Sequence, residues 1–242
     1  MTAIGIYGCT GRMGRALTLA VEAAGARLAG GTDAKDDPTP LAAAADVLLD
    51  FSAPAGLPAH LAAARQAGTP ILIGTTGLSP AHHGLIDEAA GEIAVLQTGN
   101  TSLGVTLLAQ LVREAAAKLG PDWDVEIVEM HHRHKVDAPS GTALLLGEAA
   151  ARGRGATLAE VRVDSRAGLT GARAEGTIGF ASLRGGSVIG DHHVVFAGEG
   201  ERVELTHLAG DRSTFAHGAV RAAQWLVGRA PGRYAMGDVL GL

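Results

Sequence analysis

The N-terminal half of the chain alternates short apolar runs with longer segments in which apolar residues recur every three or four positions. Residues 3–7 form such a run, whereas Met13, Leu17 and Val21 share one face of a helical segment. The pattern predicts strands at residues 3–7, 27–33, 45–51, 70–74 and 93–97. It predicts helices at residues 12–24, in an alanine-rich stretch that ends at Ala67, and at residues 79–90 and 103–119. This alternation indicates βαβ units and a parallel sheet covered on both faces.

The pattern changes after Gly120, where polar and apolar residues alternate and glycine-rich turns separate the segments. Strands are predicted at residues 123–130, 177–183, 187–197 and 202–209. Residues 152–176 are rich in Gly, Arg and Ala and are expected to form a long loop with one strand at most. A last helix at residues 215–227 is expected to pack back on the first domain, because its alanine-rich face needs an apolar partner.

These elements predict an α/β protein with two domains. Residues 1–100 and 213–242 are expected to form a Rossmann-like, doubly wound parallel sheet. Residues 101–212 are expected to form an α+β domain with a mixed, largely antiparallel sheet. With 242 residues, 47% of them hydrophobic, the chain can bury one large core or two modest cores.

Three glycines, Gly8, Gly11 and Gly14, lie between the first strand and the first helix in the spacing G-x-x-G-x-x-G. Glycines there permit a tight turn and let N–H groups at a helix N-terminus approach a pyrophosphate. Similar turns also occur simply to close a strand-to-helix connection, so the spacing alone is weak evidence. Asp33, 19 positions after Gly14 (33 − 14), is placed to accept hydrogen bonds from an adenosine ribose, which favours NAD over NADP. Lys35 could instead accommodate a 2′-phosphate.

A second glycine-containing turn, Gly74-Thr75-Thr76-Gly77, follows a later strand of the same sheet. Ligands bind at the carboxyl ends of strands in doubly wound folds. Together the two turns predict a bound nicotinamide dinucleotide, NADH and/or NADPH. We interpret Cys9, in the first turn, as a small side chain in a tight loop rather than a nucleophile, because no histidine lies nearby in the sequence to activate it.

Three of the ten histidines, with an arginine and a lysine, occupy residues 131–135 (HHRHK). Such a cluster could bind a metal ion, nucleic acid or an anionic substrate, or could be a solvated charged loop. A metal site is disfavoured, because His131 and His132 point to opposite faces if the preceding strand continues through them. Lys135 would also repel a cation.

The residues after this cluster favour an anionic substrate. Pro139 lies near the start of a helix that is predicted at residues 143–151. Free N–H groups at that start, on Ser140, Gly141 and Thr142, would form an anion-binding seat. Histidine can also transfer a proton near neutral pH. The stretch therefore indicates an enzyme that acts on a small anionic acid.

Composition limits the other possibilities. The net charge is −5, and no run of Lys or Arg lies outside the 131–135 cluster, so nucleic acid is not an expected partner. A single cysteine excludes an internal disulfide, and residues 1–8 lack the features of a signal peptide. Residues 93–112 carry no charge but are interrupted by polar residues 97–102, so we expect a soluble, cytoplasmic protein and no membrane segment.

Six motifs resemble those of the 4-hydroxy-tetrahydrodipicolinate reductase (dihydrodipicolinate reductase) family. They are GCTGRMG near the start, LDFS at 49–52, GTTG at 74–77, EMHHRHKVDAPSGTA at 129–143, RGGSVIGDHHVVFAGEGE at 184–201 and DRSTFAHGA at 211–219. The resemblance covers nearly the whole chain, and the length and composition of the central motif make it highly specific. It implies a two-domain cytoplasmic homotetramer that uses NADH or NADPH to reduce a cyclic dicarboxylic imine to tetrahydrodipicolinate, in diaminopimelate and lysine biosynthesis. The second domain would bind substrate and mediate tetramerisation.

The resemblance also implies roles for individual residues. His131 resembles the family's catalytic acid/base, and Lys135 the residue that assists the proton transfer and binds substrate. His132, Gly141 and Thr142 resemble contacts to the substrate carboxylates, with Ser140 beside them. The residues that resemble dinucleotide contacts are Gly8, Cys9, Thr10, Gly11, Arg12, Met13, Asp33, Gly74, Thr75, Thr76, Thr98, Gly99, Asn100 and Thr101. No metal site is implied.

Two departures from the family pattern bear on the cofactor. The family usually has Asn-Phe where this chain has Asn100-Thr101, so an aromatic contact near the nicotinamide is expected to be missing. The segment GTDAKDD at 31–37 lacks the arginine that some members place beside the acid, so NADH is expected to serve at least as well as NADPH. The alternatives are a non-catalytic dinucleotide sensor and an oxidoreductase of altered chemistry on the same fold.

Overall fold

A computed structural model describes all residues from Met1 to Leu242, which form two compact units. The first comprises residues 1–103 and 212–242, and the second comprises residues 104–211. The strands are β1 (Ala3–Tyr7), β2 (Arg27–Thr32), β3 (Val47–Asp50), β4 (Ile71–Ile73), β5 (Ala94–Gln97), β6 (Asp124–His131), β7 (Arg162–Val163), β8 (Ile178–Arg184), β9 (Asp191–Ala197), β10 (Arg202–Leu208) and β11 (Gly232–Tyr234). The α-helices are α1 (Arg12–Ala23), α2 (Thr39–Ala44), α3 (Leu57–Ala67), α4 (Pro80–Ala90), α5 (Leu103–Leu119), α6 (Gly141–Gly153), α7 (Leu158–Val161), α8 (Ser213–Leu226) and α9 (Met236–Leu240).

The first unit contains a six-stranded parallel sheet in the order β11-β5-β4-β3-β1-β2. Alternate strand residues point to opposite faces, so Ile4 and Leu49 pack in one core with α1 and α8, whereas Tyr7 and Leu48 pack in another with α3 and α4. The predicted doubly wound sheet is confirmed, and so is the packing of the last long helix on this unit. The strand order reverses between β1 and β3, which is where ligands bind in such folds.

The second unit contains a five-stranded mixed sheet in the order β10-β9-β6-β8-β7. The central strand β6 alternates regularly between buried and half-buried residues, because α5 and α6 cover one face of the sheet. Glu129 and His131 lie on the covered face. Val128, Met130 and the exposed Leu183 lie on the other.

Two predictions for this unit need correction. The strand that was predicted at residues 187–197 begins only at Asp191. Residues 152–176 are not one loop, since they contain the end of α6, helix α7 and strand β7. The mixed, largely antiparallel sheet is confirmed: β9 pairs antiparallel with β6 and β10 over seven residue pairs each, whereas the parallel pairs of β8 with β6 and β7 number seven and two. None of the helices is both long enough and apolar enough to cross a membrane.

Candidate active site

The glycine loop after β1 closely surrounds the N-terminus of α1. Gly8 has φ +84°, and a Cβ there would lie 2.7 Å from the carbonyl oxygen of Phe51. A Cβ at Gly14 would lie 2.2 Å from the carbonyl oxygen of Gly8, so both positions require glycine. Gly11 is the N-cap of α1, no side chain caps this helix, and its first turn holds no acidic residue. The loop therefore leaves the positive end of a helix dipole open to an anion such as a pyrophosphate.

Asp33 lies directly against this loop. Its carboxylate accepts hydrogen bonds from the Thr10 N–H and the Cys9 thiol, both at 3.4 Å. Burial and the hydrogen bond to Asp33 raise the pKa of Cys9, the opposite of what a nucleophilic thiol needs. A Cβ at Gly31 would lie 2.4 Å from Cys9 Cβ, so the cysteine packs on β2. The geometry supports the interpretation of Cys9 as a packing residue.

Three clefts lie along the carboxyl ends of the strands of the first unit. One, of about 520 Å³, is lined by residues of the glycine loop and by Asp33, Asp36, Ser52 and His60. Two others, of about 410 and 190 Å³, share Met13, Phe51 and Gly74. Apart from Cys9, every predicted cofactor residue lines one of the three: Gly8, Thr10, Gly11, Arg12, Met13, Asp33, Gly74, Thr75, Thr76, Thr98, Gly99, Asn100 and Thr101.

Sequence reasoning missed two aromatic residues in these clefts. Phe51 and Phe215 line the smallest cleft together with Thr101, and the Thr101 hydroxyl donates a hydrogen bond of 2.7 Å to the carbonyl oxygen of Phe215. The cleft therefore contains aromatic side chains although position 101 is a threonine. Both phenylalanines lie within motifs that carry the resemblance, LDFS and DRSTFAHGA, and this was the available signal.

In the second unit, β6 brings Glu129 and His131 together. The residues are two positions apart on one strand, so their side chains share a face, and Glu129 Oε2 lies 2.6 Å from His131 Nδ1. Arg184, at the end of β8, donates two hydrogen bonds of 2.8 Å, one to each Glu129 carboxylate oxygen. Burial alone would raise the pKa of Glu129, but the hydrogen bonds from Arg184 and His131 outweigh it and lower this pKa to about 2. Glu129 is therefore a carboxylate at any working pH.

This carboxylate fixes which nitrogen of His131 faces outward. Because Glu129 can only accept hydrogen bonds, Nδ1 of His131 must carry a proton, and Nε2 is left for exchange. A Cβ at Gly190 would lie 2.9 Å from His131 Nε2, so a side chain at this position would press against that nitrogen. The arrangement suits a proton donor or acceptor whose ring is held in one orientation.

A second histidine packs against the first. The rings of His131 and His192 meet edge to face, with their centroids 5.1 Å apart. Burial, and to a lesser extent the nearby His131, lower the pKa of His192 to about 4, so His192 is neutral near pH 7. Its Nε2 lies 3.1 Å from the Ser140 hydroxyl. His192 therefore contributes packing beside His131 without adding a second positive charge.

The predicted anion seat at the start of α6 is only partly as expected. The Ser140 N–H donates to Glu129 Oε1 at 3.2 Å, and the buried Ser140 hydroxyl accepts from the Ala143 N–H, also at 3.2 Å. Ser140 is thus the N-cap of α6 and a support of Glu129, which argues against the predicted contact to substrate. Gly141 and Thr142 occupy the first two positions of α6, directly after this N-cap.

Lys135 lies in the loop between β6 and α6, and its ammonium group binds a carboxylate of the same loop. Its Nζ donates to both carboxylate oxygens of Asp137, at 2.8 and 2.9 Å. Arg184 also donates to the Asp137 main-chain carbonyl, so one arginine joins this loop to Glu129. His132 lies in the same loop and is half-buried, with its ring tilted toward that of His134. The predicted residues His131, His132 and Lys135 therefore belong to one strand end and the loop that follows it.

Sequence reasoning also missed Glu129, Arg184 and His192. Glu129 could have been found from its spacing, since it lies two residues before His131 on a predicted strand. Arg184 and His192 reach the site only through sheet pairing, β8 with β6 and β9 with β6. No group of three or more His, Cys, Asp or Glu side chains is arranged to hold a metal ion.

Comparisons with known proteins show the family to which the chain belongs. The sequence model of one protein family, the dihydrodipicolinate reductase N-terminus, matches residues 2–101. That of a second family, the dihydrodipicolinate reductase C-terminus, matches residues 104–240. The 4-hydroxy-tetrahydrodipicolinate reductase of Zymomonas mobilis is 56% identical over 99% of this chain and 97% of its own length. That of Parvibaculum lavamentivorans is 52% identical over 98% and 97%.

Solved structures point the same way. A dipicolinate-bound dihydrodipicolinate reductase from Paenisporosarcina sp. TG-14 superposes with a TM-score of 0.80 at 25% identity, covering 100% of both chains. A probable dehydrogenase from Thermotoga maritima, 11% identical with a TM-score of 0.61 over 98% of this chain and 92% of its own, shares the fold alone. With both halves matched by the family models and with full-length relatives above 50% identity, the chain belongs to the dihydrodipicolinate reductase family of oxidoreductases.

Proposed function

We propose that the protein reduces 4-hydroxy-tetrahydrodipicolinate to tetrahydrodipicolinate with NADH or NADPH, a step of the diaminopimelate route to lysine. Family membership names the reaction, and the observation that carries the proposal for this chain is the Glu129–His131 pair. A non-catalytic sensor has no need for an imidazole that a buried carboxylate holds in one orientation. The pair is what a proton transfer to a bound acid requires.

The first unit is suited to hold the dinucleotide. The open N-terminus of α1 would take the pyrophosphate, and Asp33 would accept hydrogen bonds from the adenosine ribose. The cleft with Met13, Phe51 and Phe215 would receive the nicotinamide, whose chemistry is the supply of a hydride. The remaining chemistry belongs to residues of the second unit.

Those residues would bind the two carboxylates of the substrate. Lys135 and the N–H groups of Gly141 and Thr142 offer charge-assisted hydrogen bonds, and His132 lies in the same loop. Lys135 already donates to both carboxylate oxygens of Asp137, so a substrate carboxylate would share the ammonium group with Asp137 or displace it.

His131 would complete the reduction. Loss of the 4-hydroxyl group as water gives a conjugated cyclic imine, and hydride addition at C4 leaves an enamine that needs a proton at C3. His131 Nε2 donates that proton, while Glu129 holds Nδ1–H and stabilises the imidazolium before the transfer. Arg184 and Ser140 keep Glu129 in place.

The acidic residues of the cleft of about 520 Å³, where the adenosine would bind, affect the choice between NADH and NADPH. Asp33 and Asp36 both line it, so a 2′-phosphate would meet two carboxylates there, whereas Lys35 is not among the lining residues. NADH should therefore serve at least as well as NADPH.

The assembly proposed is a cytoplasmic homotetramer formed through the second unit. The face of its sheet opposite α5 and α6 carries exposed Leu183, and the edge strand β10 carries exposed Val203 and Leu208. Contact with other copies of the chain would remove these apolar side chains from water and cover the edge strand. Light scattering on the purified protein should give four times the chain mass, and a monomer would contradict this part of the proposal.

The test of the reaction is oxidation of NADH and of NADPH, followed separately, with substrate generated in the cuvette by the preceding synthase. Turnover that requires the synthase supports the proposal. Nucleotide binding without turnover would favour the sensor, and turnover of other acids but not of this one would favour an oxidoreductase of altered chemistry.

A further inference from the structure

A buried carboxylate, Asp50, ends strand β3 in the middle of the parallel sheet. The side chain is fully buried, and no lysine or arginine pairs with it. Its Oδ2 lies 2.9 Å from His60 Nδ1. Its Oδ1 accepts hydrogen bonds from the Ser52 hydroxyl at 2.6 Å, the Ser52 N–H at 3.1 Å and the Thr75 hydroxyl at 3.0 Å. Burying a carboxylate is costly, so these contacts call for a role.

The partners of Asp50 belong to two loops that line the proposed dinucleotide clefts. Ser52 lies in the loop after β3, and Thr75 lies in the loop after β4. The Ser52 N–H also lies 3.1 Å from the Thr75 hydroxyl, so the two loops meet over Asp50. The Asp50 carboxylate thus fixes the distance between two neighbouring loops that line the cleft of about 410 Å³.

His60 extends the same network to a third loop. It lines the cleft of about 520 Å³, and its ring stacks on Tyr7 with centroids 4.1 Å apart and planes 15° apart. The Tyr7 hydroxyl donates a hydrogen bond of 3.2 Å to the carbonyl oxygen of Pro38, in the loop that also carries Asp33. From Asp50, contacts therefore run to the loops after β2, β3 and β4.

We propose that Asp50 and His60 are positioning residues that set the affinity for the dinucleotide. They do so by holding these three loops at fixed positions relative to one another. The inference rests on the proposed use of a nicotinamide dinucleotide. Neither residue is part of the proton-transfer pair in the second unit, so their loss weakens nucleotide binding and spares the chemical step once the nucleotide is bound.

The test compares two substitutions of one histidine. In His60→Asn the amide nitrogen takes nearly the place of Nδ1 and can still donate to Asp50, whereas in His60→Gln it takes nearly the place of Nε2 and cannot. The dissociation constants of NADH and NADPH are measured by fluorescence titration, and kcat is measured at saturating nucleotide. We expect His60→Gln to weaken nucleotide binding about tenfold with kcat within about twofold of wild type, and His60→Asn to restore most of the affinity.

Thr75 provides a second, independent variant. Thr75→Val removes the hydroxyl that donates to Asp50, and Thr69→Val is the matched control, because the Thr69 hydroxyl is also buried but donates to the carbonyl oxygen of Ala42. If Thr75 acts through Asp50, the double variant His60→Gln/Thr75→Val loses less affinity than the sum of the two single losses. A direct contact of Thr75 with the nucleotide would instead make the losses additive.

The outcomes separate the inference from the function on which it rests. Failure of the wild type to bind either nucleotide overturns the proposed function and the inference with it. Binding by the wild type, with equal affinities of His60→Gln and His60→Asn or equal effects of Thr75→Val and Thr69→Val, overturns the inference alone.

Discussion

Replacing Glu129 with glutamine should remove most of the catalytic competence of His131 while leaving its surroundings nearly the same size. Glu129 is surrounded by donors: His131 Nδ1, two nitrogens of Arg184 and the Ser140 N–H. A glutamine amide has only one oxygen, so its NH₂ group must face donors in either orientation: Arg184 and the Ser140 N–H, or Arg184 and His131 Nδ1. It also carries no charge to stabilise a protonated imidazole.

The size of the effect follows from the contact that is lost. A hydrogen bond to a charged group contributes about 1.5–3 kcal/mol, and each 1.4 kcal/mol changes a rate about tenfold, so kcat should fall about ten- to a hundredfold. Glu126→Gln is the matched control, because Glu126 lies on the other face of β6 and binds Arg166 and Arg173. The coupled assay with the synthase measures both variants. Loss of less than about threefold in Glu129→Gln, or equal losses in the two variants, would refute the role of Glu129.

The same substitution should change how the stability of the fold depends on pH under acidic conditions. The pKa of Glu129 is lowered from 4.5 to about 2, so its ionised form stabilises the folded state above pH 4.5, and this stabilisation is lost as the pH falls toward 2. The difference corresponds to about 3 kcal/mol. The free energy of unfolding of Glu129→Gln, measured with urea, should be lower at pH 7 and depend less on pH between about 4.5 and 2. Parallel pH profiles for wild type and variant would contradict the assignment.

Three further predictions concern the residues around the two ligands. Lys135→Ala should raise the substrate KM about tenfold or more, whereas Arg133→Ala, a neighbouring cation without an assigned role, should not; equal effects would mean that only the charge of the loop matters. Asp33→Ser should lower the affinity for NADH about tenfold and the affinity for NADPH less, as measured by titration. An equal loss of affinity for both nucleotides would contradict the ribose contact. Gly190→Ala should lower kcat about tenfold or more, because the new Cβ would lie 2.9 Å from His131 Nε2. In Gly210→Ala, where no atom lies within 4 Å of the new Cβ, kcat should stay at the wild-type value.

Hydrophobic periodicity predicted the long elements well, because each contains enough apolar residues to define a period. Strand β1 and helix α5 have the predicted bounds, residues 3–7 and 103–119. Short elements such as α2, with six residues, and β11, with three, carry too little pattern and were missed. The start of β9 was placed at residue 187 instead of 191, because Val188 and Ile189 are β-branched residues, which favour strands.

The candidate site was predictable where function depends on a local motif. The 131–142 stretch pointed to His131, Lys135 and the start of α6 without knowledge of the fold. The charge balance of the site was not predictable, since Arg184 reaches Glu129 from 55 residues away and Asp137 competes for Lys135. The notion of a three-donor anion seat was wrong for Ser140, because the buried carboxylate of Glu129 takes its N–H.

The most direct test of the account is the turnover of His131→Ala beside that of His217→Ala, which replaces an exposed histidine of α8. Both are assayed with NADH and NADPH and synthase-generated substrate, and nucleotide binding is measured in parallel. The account predicts that His131→Ala loses about a hundredfold or more in kcat, that its nucleotide affinity is unchanged, and that His217→Ala matches wild type. Turnover of His131→Ala within about threefold of wild type would show that the proton comes from another group and would contradict the central claim.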